Sequence, residues 1–270
     1  MPFDYGAVTS LKDGNVGLRP DVVAHVHGLG GLISINHPFK PGDGDSGITA
    51  SGVAADLIST ALDGADMLEV GYTSKGTNGT LAAHLAAWDA VSRNGLFVTG
   101  NGVSDDHTGQ NWAKQSNRFW TGAWAATLSE ATLLDAFRAG RSYVGLLGSF
   151  SGAIDMAVDG APMGSVLVGG ATSRSLNVAV TGLPTGAGVQ VLRGDVDYAG
   201  TASPVPNTTV LKTLGASDLA SPVTVDTSDD CFVRLQVVNS AGAVIGFGQP
   251  TWALHSQPAT GVPAARLVTG

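Results

Sequence analysis

The apolar residues of this chain change period once, near Ser151, and no single layered architecture accommodates both rhythms. Up to about Gly145, segments with apolar residues at helical spacing alternate with short apolar runs that end in polar loops, which is the rhythm of an α/β fold. Beyond Ser151 the spacing becomes two-residue alternation broken by Gly, Pro and Asp. Ala153 to Val158, Leu176 to Val180, Val189 to Arg193 and Phe232 to Val238 read as half-buried strands. Roughly seven such strands in the later part suggest a small β-sandwich. Glycine and serine are dense from Gly148 to Gly152, so the expected division is a first domain over 1–149 and a β-sandwich domain over 150–270. A chain of 270 residues suits two modest domains.

The first part reads as four helix-to-strand units. A helix opened by Pro20 and stopped at Gly28 feeds the run LISIN (32–36). Val53 to Leu62 reads as a second helix, ahead of ADMLEV (65–70). Leu81, Leu85, Trp88 and Val91 recur at helical spacing, with Gly95 as the stop and LFVTG (96–100) as the strand. Ser129 caps a fourth helix reaching about Ala139, which leads into RSYVGLL (141–147).

Three polar sites stand at equivalent places in three of these units, just past the C-terminal end of a buried run. His37 follows LISIN, Glu69 sits at the end of DMLEV, and Asp105 with His107 follows LFVTGNGVS. Ligands bind at that edge of α/β sheets, because the loops there converge and vary without disturbing the core. In an extended VSDDHTG segment, Asp105 and His107 share a face and Asp106 points away, so the pair clasps one ion. Imidazole with carboxylate oxygen suits zinc, manganese or iron. Each site also has a plainer reading: a strand-ending histidine, a capping or salt-bridging glutamate, and a solvated turn.

Composition narrows the partners. Apolar residues make up 43% of the chain and charged residues 13%, enough for packed cores. The net charge of −8, with 14 scattered Lys and Arg, argues against a nucleic-acid-binding face and for a small-molecule substrate. The lone cysteine, Cys231, leaves any metal to His, Asp and Glu. No apolar run is long enough to span a bilayer, and the first residues lack the profile of an export signal.

The strings GGLISINHPF (Gly30 to Phe39), DMLEVGY (Asp66 to Tyr72), GNGVSDDHTG (Gly100 to Gly109) and AFRAGRSYVG (Ala136 to Gly145) resemble, in order and spacing, the later motifs of the polymerase-and-histidinol-phosphatase (PHP) superfamily. The closest likeness is to its carbaryl-hydrolase branch, and VDGAPMGS (158–165) and GQPTWAL (248–254) resemble that branch's C-terminal β-domain. The resemblance implies the C-terminal part of a distorted β/α barrel with one to three divalent ions, zinc, manganese or iron, at its strand ends. His37, Asp105 and His107 would be ligands by that likeness, with Glu69 beside them, and Asp105 and His107 would serve catalysis. The implied activity is hydrolysis of a phosphoester, or of an ester, amide or carbamate, by metal-activated water. The alternative is a catalytically degenerate scaffold carrying a binding or assembly module.

Family members begin with a strand ending in His-x-His, which nothing before Gly30 supplies. His25 and His27 in AHVHG fall on the first expected helix, where residues two apart point about 200° apart and cannot chelate together. Either the natural chain is longer, and then exported if the missing part carries a signal, or an open barrel edge seeks a partner strand or a second subunit. Arg141 is a candidate for an anionic substrate, or an ordinary helix-end cation. Trp112, Trp120 and Trp124 either wall a substrate pocket or pack in the core. His84 reads as a packed, satisfied histidine, and Asp43 with Asp45 as a polar turn rather than a calcium loop.

Overall fold

A computed structural model describes residues 19–39, 48–75, 79–106, 109, 117–198 and 202–269. The fold is mixed α/β. Helices α1 (Arg19–Gly28), α2 (Ala50–Ser59), α3 (Leu81–Arg93) and α4 (Glu130–Arg138) accompany the early strands. Ser129 caps its helix as expected by accepting from the Thr132 N–H, and Thr49 and Thr80 cap α2 and α3 in the same way by accepting from the N–H groups of Gly52 and Ala83.

Strands β1 (Ser34–Ile35), β2 (Met67–Gly71) and β5 (Thr99–Gly102) form a parallel sheet in that order. β1 is shorter than the run LISIN suggests. β5 starts later than LFVTG suggests, because the stop at Gly95 takes up the next residues. Gly95 is left-handed at φ 69°, the Leu96 N–H returns to the Val91 carbonyl, and Thr99 is the first residue in register with Met67. Leu57 of α2 and Leu85, Trp88 and Val91 of α3 pack with Leu68 and Val70 into one core.

The second core lies between two other sheets. β8 (Ile154–Val158), β11 (Ser173–Val180) and β14 (Val223–Asp226) belong to a four-stranded sheet. Their inward residues, including Ile154, Leu176 and Val225, meet Val189 and Val191 of β12 (Gly188–Asp195) and Leu235 of β15 (Cys231–Val238). β12 and β15 lie in a nine-stranded sheet that also contains β6 (Phe119–Ala123), β7 (Ser142–Leu146), β16 (Val244–Gly248) and β17 (Thr251–Leu254). β7 pairs antiparallel with both β6 and β16, so one sheet runs across the glycine-rich stretch at 148–152. β6 has no counterpart in the sequence reading. Its Gly122 has no side chain because the Tyr143 ring lies where a Cβ would sit, 2.5 Å away, and that residue breaks the strand pattern.

Side chains from the large sheet finish the outer edge of β5. Gln249 accepts from the Gly100 N–H at 2.7 Å and donates to the Gly100 carbonyl at 2.7 Å. Thr121 of β6 does the same for Gly102, at 2.8 and 2.9 Å. Glycine is required at both positions, since a Cβ at Gly100 would lie 2.7 Å from the Trp88 ring and one at Gly102 would lie 2.4 Å from Val144. Two further links bind α3 to the large sheet. Arg234 grips Asp89 through two bonds of 2.6 and 2.8 Å in a fully buried pair, and Trp252 donates to the Ser92 carbonyl. Arg266, buried nearby, donates to the Gly164 carbonyl and to Thr99, and burial pulls its guanidinium down to about 10.

Among the described residues no helix is long and apolar enough to cross a membrane. Replacing Gln249 by Leu orphans the N–H and carbonyl of Gly100 in the interior. At about 1–3 kcal/mol for each group, the variant should lose at least about 2 kcal/mol in urea unfolding. A wild-type midpoint would show that the edge is not held this way.

Candidate functional site

The register of the parallel sheet decides which side chains share a face. Ser34 pairs with Met67, Met67 with Thr99, and Glu69 with Asn101. With alternation along each strand, Ser34, Met67, Glu69, Thr99 and Asn101 therefore line one face, while Leu68, Val70 and Gly100 face the helices. Sheets covered on both faces are ordinarily apolar on both, and this one carries a glutamate that is only 2% exposed. Apart from Met67 the row is polar, with Asn101 Nδ2 donating to Ser34 Oγ at 3.2 Å and the Ser34 hydroxyl donating to Asn36 Oδ1 at 2.9 Å.

The C-terminal ends of the same strands carry the other expected residues. His37 stands two residues past β1, half-buried and left-handed at φ 34°. Asp105, three residues past β5, is also left-handed, at φ 55°. Alternation in an extended segment therefore does not apply at Asp105, and its direction is set instead by Tyr72. The buried Tyr72 hydroxyl, just past β2, donates to Asp105 Oδ2 at 2.6 Å. Non-glycine residues in this backbone region are uncommon and concentrate at functional sites. The Asn117 side chain clamps the adjoining loops by accepting from Thr73 and donating to the Val103 carbonyl.

His84 proves to be part of this arrangement. Its ring lies 5.6 Å from that of Tyr72, nearly parallel, and 4.4 Å from Phe39, two residues beyond His37. Nδ1 donates to the Thr80 carbonyl at 2.9 Å, whereas Nε2 is buried with no hydrogen-bond partner among the described residues. The histidine is packed, as expected, but only half satisfied. Burial lowers its pKa, partly offset by the Thr80 carbonyl, which keeps the ring neutral near neutral pH.

Other sequence candidates are placed elsewhere or lie outside the described residues. His107, Trp112, Asp43 and Asp45 are among the latter. The Arg141 guanidinium holds Asp155 through two bonds of 2.7 and 3.0 Å, which engages it within the fold. Trp120 and Trp124 pack against Tyr143, and Trp124 also donates to the Ile154 carbonyl. His25 and His27 lie on α1, where His27 pairs with Asp66 at 2.8 Å. Among the described residues no group of three His, Cys, Asp or Glu side chains gathers closely enough to hold an ion by itself. Beside the outer edge of β1 lies a mainly apolar cleft of about 660 Å³, lined by Val22 and Val23 of α1, Ile33, Ile35, and Val53 and Leu57 of α2.

Sequence reasoning missed Tyr72, Asn101 and Ser34, which contribute through register and hydrogen bonding. Tyr72 lay inside the string DMLEVGY, but only the fold reveals its contact with Asp105. No protein-family model matches the chain, and no curated protein does.

Tyr72→Phe keeps the ring stack and removes one hydrogen bond to a carboxylate. It should cost about 1.5–3 kcal/mol in chemical denaturation, and an unchanged stability would mean that the hydroxyl does not hold Asp105. Cys231 is buried, and that burial pushes its thiol up to about 11. A thiol-specific disulfide reagent at mildly alkaline pH should react only as fast as the protein unfolds; immediate labelling would contradict the burial.

Proposed function

We propose that this chain is a metal-dependent hydrolase of the PHP type, with the strand-end edge of the β1-β2-β5 sheet as its active site and a β-sandwich as its second domain. The reading is carried by one observation. A sheet face that packing alone would make apolar instead carries buried Glu69 in register with Asn101, and the adjoining strand ends carry His37 and the Tyr72-held Asp105.

The donor types suit a divalent cation. His37 offers an imidazole and Glu69 and Asp105 offer carboxylates, with His107 joining them by the family likeness, and such a mixture suits zinc, manganese or iron. When bound, the ion polarises a phosphoryl or carbonyl oxygen and lowers the pKa of a coordinated water. The chain's own residues prepare the site. Tyr72 fixes one oxygen of Asp105, the Phe39, His84 and Tyr72 rings pack the loops together, and Glu69 brings a buried carboxyl group to the same sheet. The small-molecule substrate is a phosphoester or an ester, amide or carbamate. The same reading assigns the outer edge of β1 to a second subunit.

The rival reading is a scaffold without catalysis, favoured by the lack of a three-residue His, Cys, Asp or Glu group among the described residues. Protein purified without chelator separates the two. The hydrolase should carry stoichiometric metal, cleave chromogenic phosphate or acyl esters, and lose that activity to a chelator. Manganese should raise its melting temperature in proportion to the logarithm of concentration above the dissociation constant, an effect absent in Asp105→Ala. Metal-free protein that is inactive on the whole panel and unmoved by manganese would leave the scaffold.

A further inference from the structure

We propose that the cleft beside the outer edge of β1 binds a small molecule with an apolar body and a positively charged amine end. The inference uses no metal and stands whether or not the metal-dependent reading above does.

The cleft measures about 660 Å³, within the range of about 300–1,000 Å³ for small-molecule sites. Its walls come from α1, from the segment around β1, and from α2 with the turn that follows it. Branched aliphatic side chains, among them Ile33, Ile35, Val53 and Leu57, make most of the surface, so the body of the ligand is apolar. The ionisable residues of the lining are Asp56 and Asp63, both acids, and no described Lys, Arg or His stands among them. Asp56 follows Val53 by three residues and precedes Leu57, which puts it at the margin of the apolar face that α2 turns to the cleft. It is exposed and forms no ion pair among the described residues. A cationic end placed there meets a carboxylate while keeping its contact with water, so little desolvation opposes it. An anionic end is repelled at the same place, and the net charge of −8 disfavours it from a distance as well.

The backbone below the cleft is strained in a way that serves this wall. One residue past α2 the chain reverses hand: Ala61, Leu62 and Asp63 are left-handed at φ 47°, 54° and 51°, and Gly64 follows at 82°. Non-glycine residues enter that region singly as a rule, because Cβ crowds the following carbonyl, and three in succession are unfavourable. The turn is held by the buried Leu62 side chain, which joins the α/β core, and by the Asp63 N–H, which donates to the Thr60 carbonyl at 2.8 Å. Its result is that Leu62, Asp63 and Ala65 all reach the cleft. Strain of this kind concentrates at ligand sites.

The test is a ligand-observed NMR titration of the full chain with phenylbutylamine, phenylbutanol and phenylbutyrate, which differ in the end group alone. Wild-type protein should bind the amine about 2- to 10-fold more tightly than the alcohol, the scale of one or two exposed ion pairs, and the acid most weakly. Added salt should narrow that gap, since it screens exposed charge and leaves apolar contact in place. Asp56→Asn should weaken the amine about 2- to 5-fold and leave the alcohol unchanged. Val22→Trp fills the cleft from the half-buried side of α1 and should weaken all three. Protein that binds none of the three, or that prefers the alcohol or the acid, overturns the proposal. So does an amine affinity that either folded variant leaves unchanged. If Val22→Trp does not fold, Asp56→Asn and the salt series decide. Sedimentation of the same samples tests the other occupant: a dimer that Val22→Trp splits, with no amine bound by either form, gives the cleft to a second copy of the chain and overturns the proposal.

Discussion

A parallel sheet cannot end on a bare strand inside a protein, and here the problem is solved by two side chains. Gln249 and Thr121 each give one donor and one acceptor to a glycine of β5, in the places where another strand would put its backbone. The arrangement works only because Gly100 and Gly102 have no Cβ, which lets Trp88 and Val144 press against the backbone. The loop that begins at Val103 and leads to Asp105 starts from this fixed edge. Its direction is thus set by residues 19 and 149 positions later in the chain than the glycines they hold.

Helix α3 transmits the same coupling from the other side. One flank packs on β2 and β5 through Leu85 and Trp88, while Asp89 is locked to Arg234 of β15. A buried ion pair of this kind is a weak source of net stability, because desolvation offsets much of the attraction, but breaking it is costly. Its value lies in geometry. With α3 fixed, His84 stays beneath Tyr72, and Tyr72 stays on Asp105.

Much of this architecture is legible in the sequence for local reasons. Ser129 announces a helix start through a hydrogen bond made within three residues, and the alternating strands of the later part announce themselves by period. The expected positions past the strand ends hold for His37 and Asp105, which follow β1 and β5, whereas Glu69 lies within β2. The remainder depends on distance in sequence. The pairing of Glu69 with Asn101 needs the register, and the Tyr72 contact joins residues 33 positions apart. The left-handed backbone at His37 and Asp105 leaves only a weak trace in residue type, since neither is glycine although Asp and His enter that region more readily than most residues. Arg141 reads as a free cation until Asp155, in the next strand, takes both its nitrogens. The half-satisfied state of His84 is equally invisible, because helical spacing reports burial and not what the far nitrogen meets.

The hairpin of β6 and β7 belongs by sequence to the α/β portion and by hydrogen bonding to the large sheet. Genetic recombination at the glycine-rich stretch would therefore not deliver a self-contained module. It would separate β7 from β16 and strip Gln249 from the β5 edge, leaving raw strand margins on both products. Such a junction tolerates point substitution far better than exchange, so the two portions are expected to travel through evolution together.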